Sequence, residues 1–177
     1  YRITMALDTL EIQNKLQEAF GQKVNHFRTE YGVFVLEVEA NSIVEILQFM
    51  KEDKTLNFHF LTDLCGVHYP ENENSEQFCV VYHLHNWFTN TRIRVKTFIS
   101  GTQPELPSIT SLFESANWME RETYDFYGII FTGHPNLVRI LNMDEMVSFP
   151  LRKEFPMEDS GRTDKDDRFF GRTINNC

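Results

Sequence analysis

The sequence predicts an α+β fold: a mixed, largely antiparallel sheet with helices on one face and an extended C-terminal arm. Three observations lead to this. Helical and strand periodicities come in blocks, in the order helix, two strands, helix, three strands, two short helices. Helices segregated from a hairpin-rich sheet pack on one side of it. One strand alternates, with Ile93, Val95, Thr97 and Ile99 on one side and Arg92, Arg94, Lys96 and Phe98 on the other. One sheet face is then buried while the other is wet or bound. Periodicity also stops near Met143, which divides the chain into an α+β domain over 1–142 and an arm over 143–177.

Asp8-Thr-Leu-Glu11 reads as a helix start with a capping box. Leu10, Ile12, Leu16, Ala19 and Phe20 follow at near-helical spacing, and Gly21 is a stop. Val24–Arg28 and Val33–Glu39 read as two strands joined across Tyr31-Gly32. Ser42-Ile-Val-Glu45 is a second capping box, and Ile43, Ile46, Leu47 and Met50 form the buried stripe of its helix. Phe58–Val67, Gln77–Asn86 and Arg92–Ile99 are the next strands, separated by the polar turn Glu71–Glu76 and a turn at Thr89-Asn90. Ser108 is expected to cap a short helix through about Ser115, and Asn117 a second over Trp118–Tyr127, ended by Gly128.

Beyond Met143, Pro150, Pro156 and Gly161 break the chain, and Glu158–Arg168 is dense in charge. Leu151, Phe155, Met157, Phe169 and Phe170 are too dispersed to form a core. Such a segment cannot offset its ordering entropy by self-burial. It is either disordered or an arm lying on a partner.

Bulk properties exclude several classes. The chain has 177 residues, enough for one domain with a real core. Its formal net charge is −9. Nucleic-acid binding needs a basic stripe, and adsorption on anionic lipid needs a basic patch; this balance opposes both. No apolar run approaches the roughly 20 residues of a membrane helix. The chain shows no signal peptide and no Arg- and Ser-rich transit segment, and begins at Tyr1. The three cysteines, Cys65, Cys79 and Cys177, form neither a disulfide framework nor a C-x-x-C site, which fits a reducing compartment.

The densest signal is ERETYDFYGIIFTGHPNLVRIL, Glu120–Leu141. It sets Glu120, Arg121, Glu122 and Asp125 among Trp118, Tyr124, Phe126 and Tyr127. From physics alone this is a salt-bridged surface or a docking face. Glu122 and Asp125 lie three apart on a helix and could act as an acid–base pair. Neutralisation by Arg121 and Arg139 is the simpler account. His134 before Pro135 is first a turn element. His83, His85 and Cys79 share a strand face and could seed a metal site, though further ligands are not evident. No G-x-G-x-x-G, Walker loop, G-x-S-x-G or Cys/His nucleophile pattern occurs.

The pattern E-R-E-x-Y-D-x-Y-G-I-x-F-x-x-H-P-x-L-x-R-I-L resembles the signature of the 30 kDa-type (C-type) subunit of respiratory NADH:quinone oxidoreductase, or complex I. The segments Phe58–Pro70 and Phe149–Pro156 resemble the same family, which often carries an acid at the position of His68. The resemblance implies a non-catalytic scaffold in the peripheral arm of a proton-translocating complex. It implies no cofactor in this chain, with flavin, iron–sulfur clusters and quinone in neighbouring subunits. The implied partners are the large quinone-site subunit and the cluster-bearing subunit beside it. The implied location is the cytoplasmic face of a bacterial inner membrane, or the matrix side in a mitochondrion. Interface residues are expected at Glu120, Arg121, Glu122, Asp125, His134 and Arg139, and along the arm at Leu151, Arg152, Phe155, Phe169 and Phe170. The alternatives are the equivalent module of a membrane-bound hydrogenase or F420H2 dehydrogenase, and a stand-alone small-molecule enzyme using Glu122, Asp125 and His134.

Overall fold

The computed structural model describes residues 6–155. Pro156, Met157, Gly161, Phe169 and Phe170 lie outside the described residues, as does the charged run Glu158–Arg168.

Helix α1 spans Thr9–Phe20, and the Asp8 carboxylate caps it by accepting from the Leu10 N–H. Gly21 ends it at φ 57°, a conformation that costs glycine little. Ile12 and Leu16 are buried, whereas Leu10 is 63% exposed and belongs to the outer side of the helix. Strands β1 (Val24–Glu30) and β2 (Val33–Val38) form a hairpin. Tyr31 and Gly32 both have positive φ, the backbone that matches a tight turn to the strand twist. Helix α2 covers Ile43–Glu52 and buries the expected stripe of Ile43, Ile46, Leu47 and Met50. The Ser42 side chain makes no capping bond to a backbone N–H.

Strands β3 (Phe60–His68), β4 (Phe78–Asn86) and β5 (Thr91–Ile99) follow. The five-stranded sheet has the order β1-β2-β5-β4-β3. All its neighbours are antiparallel except β2 and β5, which run parallel. That single pairing joins the β1–β2 hairpin to the antiparallel β3–β4–β5 meander. It depends on a crossover through α2, so no local pattern announces it. The alternation on β5 is as expected: Ile93, Val95, Thr97 and Ile99 are buried on the core side. Leu36, Val80, Tyr82 and Leu84 join them there, beneath Ile12 and Leu16 of α1 and the stripe of α2.

The open face carries a ladder of charge. Arg28 donates to Glu30 and Glu37 at 2.6 Å each, and Arg94 and Lys96 approach Glu30 at 3.5 and 3.4 Å. Val35 lies in register between Arg28 and Arg94 on this face and is buried although it points away from the core.

The expected helix from Ser108 to Ser115 does not form. Residues 109–115 make only isolated turns, including Phe113 N–H to the Ile109 carbonyl at 3.0 Å. Hydrogen bonds from Ser108 and Ile109 tie this segment to a distant glutamate. Two short strands escaped the sequence pattern: β6 (Glu105–Pro107) and β7 (Ile130–Thr132) pair in parallel as a second sheet. Helix α3 begins at Ala116, ahead of the expected Asn117 cap, and runs to Tyr127. Gly128 then ends it in the left-handed conformation at φ 71°.

Candidate functional site

Helix α3 is seated on β3 through a missing side chain. A Cβ on Gly66 would lie 2.8 Å from Tyr127 Cδ2 and 3.0 Å from Thr123 Cγ2. The glycine lets helix and strand approach closely, and this sets the position of every charged residue in the signature.

Asp125 is fully buried. Its Oδ2 accepts from the backbone N–H groups of Ile140, Leu141 and Asn142 at 3.1, 2.8 and 2.9 Å. Its Oδ1 accepts from Arg139 Nη1 at 2.7 Å. Burial alone would raise its pKa. The donors from Asn142, Leu141, Arg139 and Ile140 outweigh burial and hold the carboxyl far below the usual range. Arg139 also donates to the Asp125 carbonyl and to the carbonyls of Met146 and Ser148, and lies over the Phe149 ring at 5.1 Å.

Arg121 donates to the carbonyls of Val138 and Arg139 at 3.1 Å each and lies over Trp118 at 5.0 Å. Among the described residues it meets no carboxylate within ion-pair distance. Arg139 pairs with Asp125 at 2.7 Å. Glu122 is exposed, and no ion pair to it occurs among the described residues. Glu122 and Asp125 do not converge as an acid–base pair: one faces out, the other is locked within.

Glu120 is fully buried as well. It accepts from Ser108 Oγ at 2.6 Å and from the Ile109 N–H at 2.8 Å. Burial raises its pKa to about 7 despite these two donors. His134 Nδ1 accepts from the Asn136 N–H at 3.0 Å, so Nε2 carries the proton and donates to the Asn117 carbonyl at 3.2 Å. The histidine orients a turn, as the His-Pro reading expected.

The first part of the expected arm lies on its own domain. Arg152 Nε donates to the Tyr127 carbonyl at 2.6 Å, and its guanidinium covers Phe149 and Phe78 at 4.7 and 5.0 Å. The Leu151 N–H reaches the Phe126 carbonyl at 3.2 Å. His68 Nδ1 accepts from the Lys153 N–H at 3.0 Å, and its ring stacks on Phe78 at 4.5 Å. Burial lowers the His68 pKa, with help from Arg152 and Lys153, which keeps the ring a neutral acceptor. Leu151 and Phe155 remain 42% and 40% exposed.

The metal candidate resolves differently. His83 Nε2 accepts from Arg94 Nε at 2.9 Å, and His83 Nδ1 lies 3.6 Å from Asp63. Burial and Arg94 together lower its pKa. His85 Nε2 meets Asn90 Oδ1 at 3.1 Å. Among the described residues no group of three or more His, Cys, Asp or Glu is placed to hold a metal ion.

The fold and the signature define a class: an α+β module whose charged motif binds its own backbone. The family model of the respiratory-chain NADH dehydrogenase 30 kDa subunit matches residues 36–161, and the chain belongs to that family. It is 43% identical over 143 residues to a C-type subunit of NADH-quinone oxidoreductase from Rhizobium etli (strain CIAT 652), covering 80% of this chain and 74% of that protein. It is 39% identical over 168 residues to the C-type subunit of the same enzyme from Roseiflexus castenholzii, covering 94% and 95%. Among solved structures it resembles a trypsin-resistant fragment (1-134) of Nqo5, with TM-score 0.61 and 31% identity over 73% of this chain and all of the fragment. It also resembles a chain of an archaeal membrane-bound sulfane sulfur reductase, with TM-score 0.70 and 28% identity over 84% and 85%.

Proposed function

We propose that this chain works as a spacer that holds cofactor-bearing neighbours in register, chiefly the large quinone-site subunit and the cluster-bearing subunit beside it. As a member of its family it is a peripheral-arm subunit of NADH:quinone oxidoreductase, supporting electron transfer from NADH to quinone. The observation that carries the spacer reading is the use made of the signature. Arg121, Asp125 and Arg139 bind backbone groups between Val138 and Ser148. They thereby display Val138, Leu141, Met143 and Val147, all exposed apolar side chains, along one rigid segment. Exposed apolar residues on fixed backbone suit a docking face.

In this reading Glu120, Asp125, His134, Arg139 and Arg152 support the face from within. Glu122, Leu151 and Phe155 reach a partner directly, and Phe169 and Phe170 belong to the clasping arm. The trypsin resistance of the Nqo5 fragment is consistent with a protease-stable domain followed by a separable segment. Flavin, clusters and quinone sit in neighbouring subunits. No helix among the described residues is long and apolar enough to cross a membrane, so the chain would reach the cytoplasmic membrane face through its partners. Affinity purification from native membranes tests this. NADH-binding and quinone-site subunits should co-purify. Recovery with the subunits of a hydrogenase or sulfur reductase would favour the related module, and recovery alone with turnover would favour a stand-alone enzyme.

A further inference from the structure

Glu120 is a buried acid that no lysine or arginine among the described residues pairs with. Three elements enclose it. The 108–110 turn offers Ser108, the Ile109 N–H and Thr110; the turn after β7 offers His134; the sheet offers Tyr82 of β4. The imidazole Nε2 lies 4.0 Å from Glu120 Oε2, but its proton is already given to the Asn117 carbonyl. The Tyr82 hydroxyl is buried with no hydrogen-bond partner among the described residues, and burial, helped by the Glu120 charge, keeps its proton on. Lys51 of α2 is bound instead to the Leu112 carbonyl and the Phe113 ring. Arg121, next on α3, is turned to the Val138 and Arg139 carbonyls.

The hydroxyls beside Glu120 form a chain that can run in either direction. Ser108 Oγ lies 2.6 Å from Glu120 Oε2 and 2.9 Å from Thr110 Oγ1, where either hydroxyl can be the donor. With the carboxylate ionised, Ser108 donates to Glu120 and Thr110 donates to Ser108. With it protonated, Glu120 donates to Ser108 and Ser108 donates to Thr110. The Ile109 N–H remains bonded to the other oxygen in both states. We propose that Glu120 is a proton-binding site that fills and empties inside the folded chain by reversing the Ser108–Thr110 relay.

Burial without a compensating charge favours the neutral acid and brings its titration to about 7. Carbon-13 NMR of the side-chain carboxyls in the full chain, titrated from acid to alkaline pH, tests the site. One carboxyl signal should titrate near neutrality, be absent from Glu120→Gln, and share its midpoint with the Ile109 amide shift. The remaining spectrum should stay native throughout. Ser108→Ala removes a donor to the ionised form and should move the midpoint upward. A Glu120 midpoint in the ordinary carboxylate range near about 4 overturns the proposal. So does titration that coincides with loss of native signals, or a midpoint that Ser108→Ala leaves in place.

Discussion

Asp125 and Glu120 share one helix and complete burial, yet their environments drive their protons in opposite directions. Asp125 meets three backbone donors and an arginine; Glu120 meets a hydroxyl and one N–H. The consequences for stability have opposite signs. Asp125 has a folded pKa below its unfolded value, so its contribution is present at neutral pH. That contribution fades as pH falls below about 4, where the unfolded carboxyl begins to take up its proton first. Glu120 has a folded pKa above its unfolded value, so it opposes stability as pH rises from about 4.5 to about 7. Replacing Asp125 by Ala leaves Arg139 buried beside orphaned N–H groups and should cost about 3–5 kcal/mol by urea unfolding at neutral pH. Glu120→Gln should flatten the decline in unfolding free energy between about pH 4.5 and about pH 7, on the same linkage argument. A Glu120→Gln chain with the parent's pH profile would show that the carboxyl does not titrate in this window.

Two elements depend on glycines for different reasons. Gly66 is needed for space: any Cβ meets Tyr127 and Thr123 of α3. Gly66→Val should push α3 off β3 and lower the thermal midpoint markedly, while Gly66→Ala should cost about 1–3 kcal/mol through overpacking. Gly128 is needed for both conformation and space. Its φ is 71°, and a Cβ would lie 2.6 Å from Phe149 Cε2 and 2.7 Å from Arg152 Nη2. Gly128→Ala therefore combines about 1 kcal/mol of backbone strain with displacement of the segment that Arg152 holds. Limited proteolysis should then cut after Arg152 or Lys153 faster than in the parent chain. Equal cutting rates would mean that Arg152 is not what fastens this segment.

At the scale of the whole molecule, the question is where the domain stops. Hydrogen bonds to α3 and β3 continue to Lys153. A chain ending after Phe155 should keep the parent's thermal midpoint but be lost from the complex during affinity purification. A chain ending before Phe149 removes the ring that contacts Arg139, Arg152 and Tyr124, so it should also unfold several degrees lower. Retention of the Phe155-terminated chain at full occupancy would rule out a clasp by the residues beyond it.

Much of this was legible beforehand because it is local. The capping carboxylate of Asp8, the buried stripe of α2, the alternation of β5 and the stop at Gly128 follow from steric and hydrogen-bond rules acting over a few residues. The signature from Glu120 to Leu141 was legible as a family pattern even where its physics was ambiguous. What each charge does was not legible, because the partners are remote or are backbone groups. Arg121 and Arg139 seek carbonyls that carry no sequence signal, and Ser108 donates its hydroxyl to Glu120, 12 residues on. The parallel pairing of β2 with β5, the small sheet of β6 and β7, and the return of residues 149–153 onto α3 are long-range events. Sequence determined the three helices and the five strands of the main sheet, and which faces α2 and β5 would bury. Tertiary structure alone decided which buried acid would be held ionised and which would be left free to bind a proton. That outcome rests on how many donors converge on a carboxylate, and convergence is a property of the folded chain.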